Sequence, residues 1–536
     1  MGLAARGLPQ AALTGGSIGW AMAWVLLFAV LARALGYTGY FGSDEVTYTE
    51  QAFKLLDRDW TVSEYVGANR LGVNFPVAFF ALLFGRNEFG GAIYSLLSSV
   101  VEVGLVTWVA YRMFGKATAV FAGLLLASLP THIHFAGRLM ADAPLCLTVT
   151  AAFVLFFEGE VRRSSVAYFS AGLFIGLSFW IKPPVTVFVA AVFLTYPLAV
   201  RRLDLRWSWV FAGAAIGVAL NCLAFWLMTG NFWYIIEVTR ARQASGYLEA
   251  GVAAGDMTTN ADYYLWYLFG RIYHTGLLGY LALLGLVLAW RARDSLSAPV
   301  GFGLQYASLW ALGLVVILSL SPVSLNPVIL VFKQTNYILI FVAPLCLLAG
   351  WGLSRLPIRW ATVIAAVCVS AGLVFAALLQ GSIALFTANS WATLQYVQAK
   401  PGVTFYVMSN ALRAARFQKL TQGADLEPRL RPIKELILPR PGSVQPAAAA
   451  PGEVFAVVDE QSFSWDGSRP FARPGDVPVC WVEIDRLHGS PEGLGVALLR
   501  TLVAVPGLSG SSIGARLQQL ASPLPARVYR LPAAGC

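Results

Sequence analysis

The chain has 536 residues, of which 57% are hydrophobic and only 12% charged, with a mean hydropathy of +0.66; soluble globular domains carry roughly 25% charged residues. That composition excludes a soluble protein and places most of the chain in a membrane. The net charge of +10 would suggest a nucleic-acid partner if it formed a patch on a soluble face, but the basic residues fall in short runs between apolar stretches, so no nucleic-acid partner is expected.

Residues 11–32 carry no charge, and about 20 apolar residues are what a helix needs to cross the hydrocarbon core of a bilayer. No short apolar region with a small-residue cleavage site stands apart from this stretch, so it reads as a retained first span rather than a removed signal peptide. Further apolar segments follow near 91–112, 117–136, 142–158, 165–181, 185–200, 208–229, 275–290, 302–321, 337–353 and 360–380, which with a first span near 14–36 predicts about eleven helices. Arg112 and Lys116, Arg162 and Arg163, Arg201, Arg202 and Arg206, Arg291 and Arg293, and Arg355 and Arg359 mark the turns on one side. Basic short loops stay cytoplasmic, so the N-terminus is expected inside and the C-terminus outside. The Arg-rich, Ala-rich usage and the lack of eukaryotic sorting signals point to a bacterial inner (plasma) membrane with a periplasmic outer face.

Two outer connections, 37–90 and 231–274, are too long to be simple turns. In the first, Val46, Phe53, Leu56 and Trp60 recur at helical spacing and predict an amphipathic helix at the membrane surface. The second, with "NFWYIIEV" and "ADYYLWYLFGRIYH", suits interfacial helices among the headgroups. No internal repeat is seen. Residues 1–381 therefore form a transmembrane domain, and 382–536 a small extracytoplasmic α/β domain. In the latter "TFYVM", "EVFAVVDE", "CWVEID" and "ARVYRL" read as strands, interrupted by the Pro/Ala-rich "LPRPGSVQPAAAAPGE". Four of the six cysteines lie in spans, and a disulfide between Cys480 and Cys536 is compatible with an oxidising compartment.

The chemistry-bearing groups gather at the outer ends of the spans. Asp44 and Glu45 follow directly on the first span in "FGSDEVTYTE". Acids in a first helical turn complement the helix dipole after a Ser cap, and a rim acid facing water can also accept a proton from a substrate. Asp142 in "GRLMADAPL" starts the fourth segment just before Pro144, an ordinary helix start, yet the topology puts it on the same membrane face as Asp44, with Arg138 four residues earlier. The two aspartates are candidates for a shared substrate or a divalent cation; His132 and His134 nearby are either metal ligands or structural. Cations also stand where positive-inside bias disfavours them: Lys182 in "FWIKPPV", Lys333 in "VFKQTNYI", and Arg70, Arg240, Arg242 and Arg271. Each alone is explained by snorkelling or a helix C-terminus; together they imply an anionic ligand, a lipid phosphate foremost. No phosphate-binding G-x-x-x-x-G-K-[ST] loop, strand-flanked G-x-G-x-x-G or G-x-S-x-G elbow occurs.

Taken together, the Asp-Glu pair after the first span, "RLMADAPL", the Lys-Pro turn and "NYILIFVAPLCLLAG" resemble the GT-C glycosyltransferases, in the branch that holds protein O-mannosyltransferases and the bacterial lipid A aminoarabinose transferases. The likeness spans about residues 14–380. It implies an enzyme that passes a sugar from a polyprenyl-phosphate carrier to a lipid, glycan or protein acceptor at the outer face, inverting the anomeric carbon. By the same likeness Asp44 is the first-loop catalytic acid and Asp142 the second carboxylate. The family's Lys-Pro-Pro segment is matched only roughly, by Arg70 and Pro76 in "NRLGVNFP". The chemistry agrees: attack on C1 needs a base, for which Asp44 is suited, and a leaving polyprenyl phosphate, with a second pKa near about 6, departs if cations such as Lys182, Lys333, Arg70 or a divalent metal take up its charge. A polytopic lipid transporter or flippase is the rival reading, although transporters favour inverted repeats and midplane sites; a scaffold for assembly partners is a third.

Overall fold

The computed structural model describes residues 18–244, 258–326, 328–436, 453–459, 477–507, 511–521 and 523–532. The chain divides into two compact units. The first comprises Met1–Ala34, Lys54–Ala78 and Ala92–Ala376, the second Leu35–Phe53, Phe79–Gly91 and Ala377–Cys536. Segment 382–536 thus shares its unit with the stretch that follows the first apolar helix.

In chain order the helices are α1 Gly19–Leu35, α2 Asp44–Leu56, α3 Leu71–Phe84, α4 Glu88–Phe114, α5 Lys116–Ala127, α6 Pro130–Ala136, α7 Asp142–Arg162, α8 Ser165–Ile181, α9 Pro183–Val200, α10 Ser208–Thr229, α11 Tyr234–Ala244, α12 Tyr263–Gly270, α13 Ile272–Thr275, α14 Leu278–Ala292, α15 Ala298–Leu320, α16 Leu339–Ser354, α17 Ile358–Ala399, α18 Ser409–Gln422, α19 Leu494–Val503 and α20 Ser512–Ala521. Every apolar segment read from the sequence is largely helical over its described residues, the one near 117–136 in two pieces; residues 14–17 of the first lie outside the described residues. Among the described residues seven helices are long and apolar enough to cross a membrane, and the α5–α6 pair, bent by 59°, makes up to eight. The remaining three of the eleven segments are α1, α8 and α14, which are apolar but only 17, 17 and 15 residues long, at or below the short end of the spanning range. The chain is an integral membrane protein of mostly helical build.

Small residues let the helices of the first unit approach closely. Gly172 and Gly176 on α8 face Gly213 and Gly217 on α10: a Cβ at Gly172 would lie 1.9 Å from the Val210 carbonyl oxygen, and one at Gly176 2.7 Å from the Gly217 Cα. Such small-xxx-small contacts join helices where lipid removes the hydrophobic driving force. The bend between α5 and α6 has a local cause. Pro130 opens α6, and the residue before a proline is pushed out of the helical region, so α5 ends and leaves its last carbonyls open. Arg33 of α1 donates to the Ala127 carbonyl and also bonds Ser99 Oγ at 3.1 Å and the ring of His132. His132 Nε2 in turn lies 3.0 Å from Glu102 Oε2, and Thr150 Oγ1 donates to Glu102 Oε1 at 2.8 Å. All five side chains are buried, and within hydrocarbon such polar and charged groups persist because each is satisfied by the next.

The second unit contains a five-stranded sheet in the order β4-β3-β5-β7-β6, where β3 is Thr404–Val407, β4 Leu430–Pro432, β5 Val454–Val458, β6 Val482–Leu487 and β7 Ala526–Arg530; a separate antiparallel pair in the first unit joins β1 Pro322–Leu325 to β2 Val328–Leu330. Strand β3 is parallel to β4 and β5, and β7 runs antiparallel to β5 and β6. The strands expected in "TFYVM", "EVFAVVDE", "CWVEID" and "ARVYRL" are all present. Phe405, Val407, Phe455, Val457 and Val528 bury one face against Leu394, Val397, Ala414 and Phe417, and Tyr40 and Val46 join the same core. The helix expected near residues 46–60 therefore forms as α2. However, Val46, Tyr48, Thr49, Ala52 and Phe53 are buried in protein, and Trp60 lies beyond its end, half exposed. Cys146, Cys222, Cys346 and Cys368 are free and buried; Cys536, named for a disulfide with Cys480, lies outside the described residues, as do residues 245–257 of the second long connection and 437–452 of the Pro/Ala-rich stretch.

Candidate active site

The site in the first unit is built where four helix ends meet. Lys182 is the single residue joining α8 to α9. Pro183 and Pro184 fill the first turn of α9, where a proline's missing N–H costs nothing, and they hold Lys182 extended at φ −154° and ψ 85°. Its side chain is thereby turned inward and is 8% exposed. Lys182 Nζ lies 3.5 Å from Asp142 Oδ1 and 4.3 Å from the centroid of the Tyr337 ring. Asp142, the first residue of α7, is 2% exposed and also receives a 2.9 Å hydrogen bond from Asn336 Nδ2. The turn before it is fixed to α4, since Ser95 Oγ donates to the Met140 carbonyl at 2.9 Å. An ammonium shared between one carboxylate and one ring face has donor capacity left for an anion.

The other predicted cations are placed differently. The Arg138 guanidinium is buried and lies 4.8 Å over the Phe135 ring. Lys333 donates to the Leu318 and Ser319 carbonyls at 2.7 and 2.8 Å, so it closes the C-terminus of α15, and burial lowers its pKa to about 8. Arg70 is half-buried just before α3, its carbonyl accepting from Val73 and Asn74. Arg271 packs over Trp266 at 4.3 Å, beside His274, whose pKa burial and that guanidinium lower to about 4. Tyr263 Oη and Thr335 Oγ1 are 3.1 Å apart, which ties α12 to the residues just before Asn336.

Asp44 and Glu45 belong to the second unit. They open α2, but their carboxylates do different things. Glu45 is 1% exposed; its Oε1 accepts from the Phe41 and Gly42 amides, the latter at 2.6 Å, and its Oε2 from the Ser43 amide at 3.0 Å. Glu45 thus gathers the amides of the turn that leads into α2. Asp44 is half-buried and accepts a single 3.3 Å bond from Tyr48 Oη, leaving lone pairs open.

Among the described residues no group of three or more His, Cys, Asp or Glu side chains is placed to hold a metal ion; Asp142 Oδ1 faces the Lys182 ammonium and the Asn336 amide. His132 has both ring nitrogens in hydrogen bonds to Arg33 and Glu102, in keeping with the structural one of its two readings. What the sequence missed is Asn336 as the partner of Asp142: it was noticed only as part of "NYILIFVAPLCLLAG", and its pairing depends on a contact 194 positions away.

Comparison with known proteins follows the same lines. The family model described as dolichyl-phosphate-mannose-protein mannosyltransferase matches residues 71–226, a stretch that contains Arg138, Asp142 and Lys182. Among solved structures, ArnT from Cupriavidus metallidurans in the apo state is similar with a TM-score of 0.52 at 18% identity, over 82% of this chain and 92% of that one. The same protein bound to undecaprenyl phosphate gives 0.51 at 17%, over 82% and 94%. The oligosaccharyltransferase of Archaeoglobus fulgidus in the apo form gives 0.50 at 13%, over 82% and 69%. The resemblance read in the sequence therefore holds at the level of architecture: this chain has the GT-C fold of membrane glycosyltransferases.

Proposed function

We propose that the protein is an inverting glycosyltransferase that moves a sugar from a polyprenyl-phosphate carrier to a lipid, glycan or protein acceptor at the outer face of the inner membrane, with the N-terminus cytoplasmic and the C-terminal unit periplasmic. The observation that carries this reading is the buried Asp142–Lys182–Asn336 cluster at helix ends of a GT-C fold. A lipid phosphate entering there would meet an ammonium that one carboxylate only partly neutralises. The undecaprenyl phosphate in the ArnT complex supports the choice of ligand class.

In this reading the acceptor hydroxyl or amine attacks C1 of the sugar, the bond from C1 to the phosphate oxygen breaks, and the acceptor's proton passes to Asp44. The electron pair stays on the polyprenyl phosphate, and Lys182 takes up its growing charge. Asn336 holds Asp142, and Asp142 holds the ammonium. Arg138, Arg70 and Lys333 belong to the wider cationic rim, Lys333 by keeping the end of α15 in place. Glu45 shapes the turn that presents Asp44. No glycosidase-type acid is required. The transporter reading would draw on the Arg33–His132–Glu102 network, but that network is internally satisfied, as a structural one is.

The test is donor turnover by the purified protein in nanodiscs, with polyprenyl-phosphate sugars and a membrane extract as acceptor source. Release of polyprenyl phosphate is expected to require the extract and to vanish in Asp44→Asn. Failure to consume any donor overturns the enzyme reading, and an Asp44→Asn variant as active as wild type overturns the base assignment.

A further inference from the structure

The turn that carries Asp44 is held by residues some 370 positions downstream. Arg413 Nη1 on α18 donates to the Gly42 carbonyl at 2.9 Å across 371 positions, and Arg416 Nη2 of the same helix meets the Glu50 carboxylate of α2 at 2.7 Å. Tyr40 is 3% exposed, its ring 5.1 Å from Trp391 and 4.8 Å from Phe417, and its hydroxyl donates to the Asn410 carbonyl at 3.4 Å. Phe41 stacks on Phe386 at 5.6 Å. Gly42, at φ +91°, has Tyr40 Oη 3.2 Å from where a Cβ would stand, so a side chain at this position would be both strained and crowded. Glu45 then gathers three successive amides of that turn onto its carboxylate.

We propose that Arg413 is a positioning residue for Asp44: within the second unit, it aims the catalytic carboxylate by anchoring the carbonyl two residues before it. This rests on Asp44 as the base. The guanidinium touches no reacting atom. It fixes the backbone from which Asp44 projects, and misplacement of a catalytic group by about 1 Å can lower a rate by about 100-fold.

The experiment uses the full-length protein in nanodiscs with a polyprenyl-phosphate sugar donor, measuring kcat and donor KM well below the unfolding temperature of every variant. Arg413→Ala is expected to lower kcat by roughly 10- to 100-fold with donor KM unchanged, and Arg413→Lys to recover part of the loss. Lys419→Ala, which removes an exposed pairing with Asp425 and Glu427 on the same helix, is expected to keep wild-type kcat. If Arg413→Ala does not accumulate, Arg413→Gln, which keeps a donor of shorter reach, is compared in its place. A wild-type kcat for the Arg413 variant beside an inactive Asp44→Asn overturns the positioning role alone. An active Asp44→Asn overturns the base assignment and this proposal with it.

Discussion

Lys182 offers the sharpest division between structure and chemistry. In Lys182→Met the stem volume is kept, but Asp142, 2% exposed, loses the ammonium 3.5 Å away and keeps only the Asn336 amide. Stranding one member of a buried ion pair costs about 3–5 kcal/mol of stability, and the contact with Tyr337 adds roughly 1–2 kcal/mol. Losing a preorganised positive group from a developing phosphate charge should lower kcat by about 100- to 1,000-fold, or roughly 3–4 kcal/mol of barrier. Asp142→Asn breaks the same pair, yet leaves the ammonium in place, so its kcat falls less, by about tenfold for an aiming group. The double variant Asp142→Asn/Lys182→Met has no charge left to strand. Its unfolding temperature should return toward wild type while its kcat stays at the Lys182→Met level. Initial donor-turnover rates and thermal unfolding in the same nanodiscs read both quantities. Recovery of activity together with stability in the double variant would refute the phosphate role, because Lys182 would then only neutralise Asp142. A double-variant loss equal to the product of the single losses would refute the claim that Asp142 acts through Lys182.

Two further outcomes follow from groups outside this cluster. Lys333 has a folded-state pKa of about 8 against 10.5 when unfolded, so between those values the unfolded chain binds more protons and stability rises with pH; Lys333→Met should show a flatter unfolding temperature from pH 8 to 10.5, and equal slopes in both proteins would refute the burial of a charged amine. Glu102→Gln leaves the Arg33 guanidinium buried beside His132 without its carboxylate, and should cost about 3–5 kcal/mol, read as a lowered unfolding temperature; an unchanged one would mean that the network contributes no stability.

How much of this was legible in the sequence depends on the range of the interaction. Periodicity and charge-free runs are local, and over their described residues the eleven apolar segments are largely helical. So are the Pro183–Pro184 joint that extends Lys182 and the start of α7 at Asp142. Lys333 was read with a phosphate-binding set of cations, snorkelling or a helix C-terminus being the plainer accounts, and its partners, the carbonyls of Leu318 and Ser319, lie too far along the chain for local pattern to name them. The pairing of Asn336 with Asp142 was not legible, because nothing local distinguishes that Asn from others near a span. Nor was the clamp on Gly42: α2 has the apolar spacing of a membrane-surface helix, and only the burial of Val46 and Tyr40 against Leu394 and Phe417 tells protein core from lipid.

The two kinds of polar burial in this chain also separate by what remains open on each group. Arg33, His132, Glu102 and Thr150 lie on four different helices and spend their hydrogen-bonding capacity on one another and on the carbonyl freed by the Pro130 break. Removing any one leaves its partners short of a bond, so this network serves the fold. Around Lys182 the balance is incomplete: the ammonium leans on a ring face and a carboxylate at 3.5 Å, and the Asn336 side-chain amide oxygen, Oδ1, is buried with no partner among the described residues. Buried polar groups left short of partners cost free energy, and a membrane protein keeps such a cost where a ligand supplies the missing bonds. On the proposed function, the ammonium at the joint of α8 and α9 is open to a lipid phosphate and the Asn336 side-chain oxygen to a hydroxyl donor, whereas the network at the α5–α6 bend is filled from within the chain.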